Sequence, residues 1–268
     1  MEFHPVKRDV SNSRSQHNAG IIIQARMGST RLPGKVLMDF CEGQTILDIL
    51  LKTISKSGIS IPIILATGNG KENQPIVSFC KKNKIPCFVG EEENVLQRFI
   101  DCADFYKIDY AIRICADNPF LDSIFLQQLY QNGQQNLEMD YAGFKTDEET
   151  PAIRSHWGLF TEWVKVKALK ETAGITQQLI YQEHVTNFLY QNPEKFNFHW
   201  LRAPELIWEQ PQLRFSIDSL EDFKNMQYLY TKLKDANATI NSKEIIEMAQ
   251  SDPAITFIMN AQIKQHTK

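Results

Sequence analysis

Between Gln24 and Lys35 the chain reads QARMGSTRLPGK, which gathers three cations (Arg26, Arg31 and Lys35), two glycines (Gly28 and Gly34) and the small hydroxyl residues Ser29 and Thr30. These residue types suit a phosphate. Glycine reaches backbone conformations closed to other residues, and a backbone free of side chains can present its N–H groups to phosphate oxygens. An arginine fork matches phosphate geometry, and a lysine adds a point charge. Two familiar phosphate loops do not fit. A Walker A loop requires GxxxxGK[ST], whereas five residues separate Gly28 from Gly34 and Val36 follows Lys35, so both the spacing and the magnesium-binding hydroxyl are missing. The dinucleotide fingerprint GxGxxG is absent too. The segment is therefore a phosphate loop of another kind or a basic surface turn.

Two acidic positions complement it. In RICADNPFLD, Asp117 follows an apolar run and precedes Asn118 and Pro119. A hard Mg²⁺ takes one or two carboxylates together with phosphate oxygens, so Asp117 is a candidate ligand; a turn or helix cap is the plainer alternative. In LRFSIDSLEDF, Asp218 also ends an apolar run and precedes a helical pattern. Alone it reads equally well as that helix's N-cap.

The surrounding elements decide whether these groups can meet. GIIIQA at 20–25 is a short β-branched run, hence a buried strand. From Thr45, Ile46, Ile49, Leu50 and Ile54 recur at helical spacing. Strands follow at 59–67, 86–90 and 109–116, with Pro62 marking a strand end. Helices are predicted at 73–84, at 91–107 and at 123–131, the second opening on Glu91, Glu92 and Glu93 as the helix dipole favours. Strands alternating with helices imply a parallel sheet covered on both faces. In such sheets ligands lie outside the carboxyl ends of the strands, here the loops after Ala25, Thr67, Val89 and Ala116. The second half reads as strands at 139–144, 158–166, 196–203 and 212–218, a loop at 145–156, and helices at 177–191 and 219–233. Ser219 with Asp222 resembles a capping box, and one or two helices follow Ile240. The expected fold is a three-layer α/β/α sandwich with a mostly parallel, mixed sheet. Residues 1–18 read as a polar tail, and 19–268 as one domain with a small dimerisation or substrate arm around 145–210.

Composition excludes several classes. Of 268 residues, 43% are hydrophobic and 23% charged, which is average for a folded chain and rules out disorder as the main state. The 29 bases and 32 acids give a net charge of −3, too little positive field to hold a nucleic acid backbone. No apolar run is long enough to span a bilayer, and the first residues lack the apolar core of a signal peptide. Five cysteines without a CxxC pair read as reduced thiols of a cytoplasmic protein. Trp157, Trp163, Trp200 and Trp208 read as core rather than as stacking platforms.

IIIQARMGSTRLPGKVL resembles the opening of the SpsF-type cytidylyltransferase-like family, relatives of the CMP-acylneuraminate and CMP-KDO synthetases, and the resemblance runs on through about residue 235. It implies a nucleotide-diphospho-sugar transferase fold with the loop wrapped around a nucleoside triphosphate. Gln24, Ala25, Met27, Gly28, Ser29 and Thr67 then become nucleotide contacts, and Arg26, Arg31 and Lys35 the groups that neutralise the leaving pyrophosphate. ADNP resembles the family's GDxP turn with Ala116 for glycine, and Arg214, Ile217, Asp218, Glu221 and Asp222 match an R-x-T-V-D-x-x-E-D segment, which implies Asp218 as second Mg²⁺ ligand beside Asp117. GEEENVLQRF resembles G-S-E-E-D-V-L-D-R and brings Arg98 to the substrate or to the rim that braces it; a surface salt bridge is the alternative. GLFTEWV and EHVTNFLYQ resemble family segments that imply substrate contacts for Glu162 and His184, although Phe160 and Gln182 depart from the pattern.

The activity so implied is Mg²⁺-dependent transfer of a nucleotidyl group, from CTP or another NTP, to a sugar acceptor, giving a CMP-sugar and pyrophosphate for surface polysaccharide, in a homodimer. Two alternatives stay open: a glycosyltransferase of the same fold, although no DxD triplet occurs, and a non-catalytic nucleotide-binding partner. On this reading, loss of Lys35 harms turnover far more than stability.

Overall fold

The first strand, β1 (Ala19–Gln24), sets the plan. Its isoleucines alternate: Ile21 and Ile23 enter one apolar core and Ile22 the other, all fully buried. A strand buried on both faces must lie inside a sheet with helices above and below. The computed structural model describes residues 18–145 and 150–265. The expected tail therefore lies outside the described residues except for Asn18, as do residues 146–149 of the expected loop.

After β1 come α1 (Ile46–Lys56), β2 (Ile63–Gly68), α2 (Gln74–Asn83), β3 (Cys87–Gly90), α3 (Val95–Phe105), β4 (Tyr110–Cys115) and α4 (Ser123–Gln135). Next are β5 (Tyr141–Lys145), β6 (Glu162–Lys165), α5 (Val166–Ile175), α6 (Leu179–Glu183), α7 (Asn187–Gln191), β7 (Phe198–Arg202) and α8 (Glu205–Trp208). The chain closes with α9 (Leu220–Asp235), α10 (Ser242–Gln250) and α11 (Pro253–Gln265). The strands form one sheet in the order β3-β2-β1-β4-β6-β5-β7. β3, β2, β1 and β4 are parallel, β6 is antiparallel to both β4 and β5, and β7 is parallel to β5. One core packs α1, α4, α9 and α10 against the sheet, and the other packs α3, α5 and α7. This is the expected three-layer sandwich with a mixed sheet.

Local chemistry explains where the expected elements shift. The second strand starts only after Pro62, as a residue without an N–H requires. The helix expected from Glu91 begins at Val95, because Asn94 is its N-cap and accepts from the Gln97 N–H at 2.9 Å. The helix expected over 177–191 splits into α6 and α7, since the side chain of Thr186, between them, is drawn inward to Glu162 at 2.8 Å. The strand expected over 212–218 is an extended segment outside the sheet. It hydrogen-bonds the loops instead: the Phe215 N–H donates to the His156 carbonyl (2.9 Å) and that of Ile217 to the Asp117 carbonyl (3.1 Å). The region set apart as an arm supplies β6 to the sheet interior and β7 to its edge. Trp157 and Trp163 are buried core residues.

Candidate active site

The loop after β1 closes on a single carbonyl. Met27 O accepts from the Ser29 N–H (3.0 Å) and the Gly34 N–H (2.9 Å). Gly34 has φ 74°, a left-handed conformation that favours glycine, and it starts the short 3₁₀ turn Lys35–Leu37. Gly28 needs no such freedom: its φ is not positive, and a side chain there would meet only Glu92, at 4.0 Å. A relay braces the loop from behind. The Met27 N–H donates to Asn73 Oδ1 (2.9 Å), the Asn73 amide donates to Glu92 Oε2 (2.7 Å), and Arg98 donates to the carbonyls of Glu91 and Glu92. Glu92 is thus occupied in holding this loop rather than in opening α3.

The loop faces a cavity of about 640 Å³ at the carboxyl ends of the parallel strands. Gln24, Ala25, Arg26, Ser29, Arg31, Lys35, Asp117, His184 and Asp218 line it. Met27, Gly28, Thr67, Arg98 and Glu162 are outside the lining. Thr67, Arg98 and Glu162 are fully buried, so Arg98 is neither a substrate contact nor a surface salt bridge but a rim brace. Each loop cation is paired with a carboxylate: Arg26 with Glu183 (3.4 Å), Arg31 with Asp218 (2.8 Å) and Lys35 with Asp117 (3.0 Å). Lys35 Nζ also donates to the Ile217 carbonyl at 2.5 Å. One buried ammonium therefore ties the loop, the end of β4 and the segment before α9 together.

Neither acidic residue is a cap. The cap of α4 is Asp122, whose side chain accepts from the Ile124 N–H. The cap of α9 is Ser219, in a capping box with Asp222. Ala116 has no positive φ, so alanine fits the place of the expected glycine. Arg214, 1% exposed, spends its guanidinium on Asp222 Oδ1 (2.8 Å), Asp218 Oδ2 (2.7 Å) and His156 Nδ1 (2.6 Å). Burial pushes the Asp218 carboxyl up, but Lys35, Arg214 and Arg31 outweigh it and hold it below the ordinary carboxylate range. As a donor set, Asp117 and Asp218 fit Mg²⁺: both are hard carboxylates on one rim, and both already sit beside cations, as groups that share an anionic ligand would. Among the described residues no cluster of three or more metal-ligating side chains occurs.

Sequence reasoning passed over the second wall. Arg113, Arg154, His156, Glu183 and Tyr190 line the same cavity. Arg113 carried a signal, since a cation inside the apolar strand YAIRIC needs a partner. Its partner is Glu162, whose Oε2 accepts from Arg113 Nη1 at 2.5 Å while Oε1 accepts from Tyr141 (2.7 Å) and Thr186 (2.8 Å). Arg113 Nη2 reaches Gln24 Oε1 at 3.2 Å. Burial works against the Arg113 charge, but nearby Cys115 and Glu162 outweigh it and raise its pKa. Glu162 therefore underpins the cavity floor instead of touching a ligand. His156 carried no signal in the sequence.

The cation-bearing loop after the first parallel strand thus faces two carboxylates on one rim, and the family match makes the class that of the nucleotidyltransferases. The chain belongs to the cytidylyltransferase family, whose model matches residues 20–262. It is 32% identical over 237 residues to the spore coat polysaccharide biosynthesis protein SpsF of Bacillus subtilis, covering 87% of this chain and 94% of that one. It is 33% identical over 246 residues to an uncharacterized protein of Methanocaldococcus jannaschii, covering 91% and 95%. A cytidylyltransferase structure from Leptospira borgpetersenii matches with a TM-score of 0.79 at 25% identity, covering 90% of this chain and 97% of that one. Among the described residues no helix is long and apolar enough to cross a membrane, and all five cysteines are free thiols.

Proposed function

We propose that this chain transfers the cytidylyl group of CTP to a sugar hydroxyl, releasing pyrophosphate and giving a CMP-sugar for surface polysaccharide. The observation that carries the reading is the Lys35 ammonium, which binds Asp117 and the carbonyl beside Asp218 and so sets the phosphate-type loop and both acidic groups on one rim. Kinship with SpsF, named for spore coat polysaccharide biosynthesis, supports the pathway.

In this reaction the acceptor oxygen bonds to the α-phosphorus, the bond from that phosphorus to the pyrophosphate oxygen breaks, and the hydroxyl proton leaves to solvent. Charge gathers on phosphate oxygens, so positioning and electrostatic stabilisation do most of the work. Arg26, Arg31 and Lys35 exchange their carboxylate partners for phosphate oxygens. Ser29 and the loop amides hold the phosphates, with the Met27–Asn73–Glu92 relay keeping the loop in shape. Asp117 and Asp218 would hold Mg²⁺, which when bound polarises phosphate oxygens and lowers the pKa of an oxygen attached to it. The wall with Arg154, His184 and Tyr190 is left for the acceptor.

A thermal-shift panel of CTP, UTP, ATP and GTP with Mg²⁺ tests the nucleotide. A ligand at a hundred times its Kd stabilises by about 2.7 kcal/mol, and the largest shift is expected with CTP. Pyrophosphate release from CTP with N-acetylneuraminate or 3-deoxy-manno-octulosonate as acceptor probes tests the transfer. Turnover of a UDP-sugar in place of CTP would select a glycosyltransferase.

A further inference from the structure

A second, smaller cleft of about 90 Å³ lies between α1, the start of α4 and the last turns of α9. It shares no lining residue with the active cavity, and α9 runs about 15 Å from Leu220, beside the active cavity, to Tyr230 in the cleft. Every polar side chain on its lining can donate a hydrogen bond: the ammonium groups of Lys52, Lys56 and Lys234 and the hydroxyls of Thr53, Ser123 and Tyr230. No carboxylate lines it. Lys52, Thr53 and Lys56 share one face of α1, and Tyr230 and Lys234 stand one turn apart on α9. Lys234 pairs with Glu42, which stands outside the lining, and Lys52 and Lys56 form no ion pair among the described residues. Asp122, next to Ser123, is spent on the N–H groups of Ile124 (2.8 Å) and Ser242 (2.7 Å). This reverses the active cavity, where each loop cation already holds a carboxylate.

Tyr230 points to what the cleft holds. The residue is 3% exposed, and its ring is wedged between Phe40 (5.6 Å) and Phe120 (5.9 Å), so its polar tip is fixed. Its hydroxyl makes no hydrogen bond among the described residues, yet it is not one of the polar atoms sealed from solvent. A buried hydroxyl in a folded chain has a partner, and here the partner must come from the cleft. Burial pushes the phenol pKa up, so at neutral pH the group keeps its proton and can donate. At ~30 Å³ per water, the space holds about three waters or one tetrahedral oxyanion, and is too small for a nucleotide. We propose that this cleft binds one phosphate-type oxyanion, free or as the terminal group of a larger molecule, on the hydroxyls of Tyr230, Thr53 and Ser123, with Lys52 and Lys56 supplying the charge. The site goes beyond the nucleotidyl-transfer reading and stands without it.

The test uses the full chain with isotope-labelled isoleucine δ-methyl groups. Ile49 and Ile240 report on this cleft, and Ile153 and Ile180 on the active cavity. Titration with inorganic phosphate at neutral pH is expected to move the Ile49 and Ile240 methyl signals to saturation, and sodium chloride at the same ionic strength to leave them in place. Movement confined to Ile153 and Ile180, or an equal response to chloride, overturns the proposal. Tyr230→Phe keeps the ring and removes the hydroxyl, so the Kd read at Ile49 and Ile240 should rise about tenfold or more, as for a hydrogen bond to a charged group. Lys52→Gln combined with Lys56→Gln, at two exposed positions where the fold is kept, should raise that Kd and flatten its dependence on salt. An unchanged Kd in either variant overturns the site as described. Glycerol 3-phosphate in place of phosphate decides the source: binding at least as tight assigns the terminal group of a larger molecule, and much weaker binding assigns the free ion.

Discussion

Replacing Lys35 by methionine separates the two duties of that side chain. Methionine keeps much of the volume at a site only 7% exposed and removes the charge. The stability loss has two parts. The buried Ile217 carbonyl loses its ammonium donor, and an unsatisfied buried acceptor costs about 1–3 kcal/mol. Asp117 loses an ion-pair partner, but its side chain is 35% exposed and rehydrates, so that part is about 0–1 kcal/mol. Together they come to about 1–4 kcal/mol. At ~2–4 °C per kcal/mol for a chain of this size, the Tm falls by roughly 2–16 °C. Turnover is expected to fall further still: removing one preorganised charge-stabilising group typically costs ~10²–10³ in kcat. The assay is pyrophosphate release from CTP, with Mg²⁺ and the acceptor probe, well below the Tm of the variant. A variant that loses the expected Tm yet turns over within a few-fold of wild type would show Lys35 to be only a brace, and the phosphate-loop mechanism would fail.

The same geometry sets three more outcomes. Glu162→Gln strands the buried Arg113 charge and should destabilise the fold by about 3–5 kcal/mol in chemical denaturation, whereas Glu162→Gln with Arg113→Met should recover most of that loss; equal losses in the single and double variants contradict it. The depressed carboxyls of Asp218 and Asp222 stabilise the fold above the unfolded value of 3.8, and that stabilisation fades as pH falls through their lower folded values. Their part of the acid destabilisation therefore begins only below about pH 4, and Asp222→Asn should blunt it in thermal melts taken from pH 7 downwards. Cys115 lines the cavity, but burial pushes its thiol up to about 11. At neutral pH it should react with iodoacetamide far more slowly than a free thiol, and modification as fast as glutathione would contradict the placement.

The parallel half of the molecule was legible because each strand there is a short apolar run closed by a turn, and because the strand ends announce where a ligand goes. The three loop cations and Asp117 were legible for the same reason: their residue types and their place at strand ends agree. What escaped was tertiary. Arg98 and Glu162 share residue types with ligand contacts, and only burial shows that one holds a turn and the other neutralises Arg113. The Glu91–Glu93 run matched a helix start, but Asn94 capped it and Glu92 was claimed by Asn73, 19 residues back. The segment at 212–218 has strand composition, yet its N–H groups find carbonyls in loops. His156 sits in a stretch without periodicity, and the arginine that bonds its ring is 58 residues away.

The reversed strand β6 has a consequence for how this architecture can diversify. In the parallel half, the loop leaving a strand meets the ligand; at β6 it is the loop arriving, because Glu162 at the start of that strand pairs with Arg113 near the end of β4. On the proposed function, changes in the part of this stretch that precedes the pinned residues 156–158 would bear on the second substrate while the loop after β1 stays as it is.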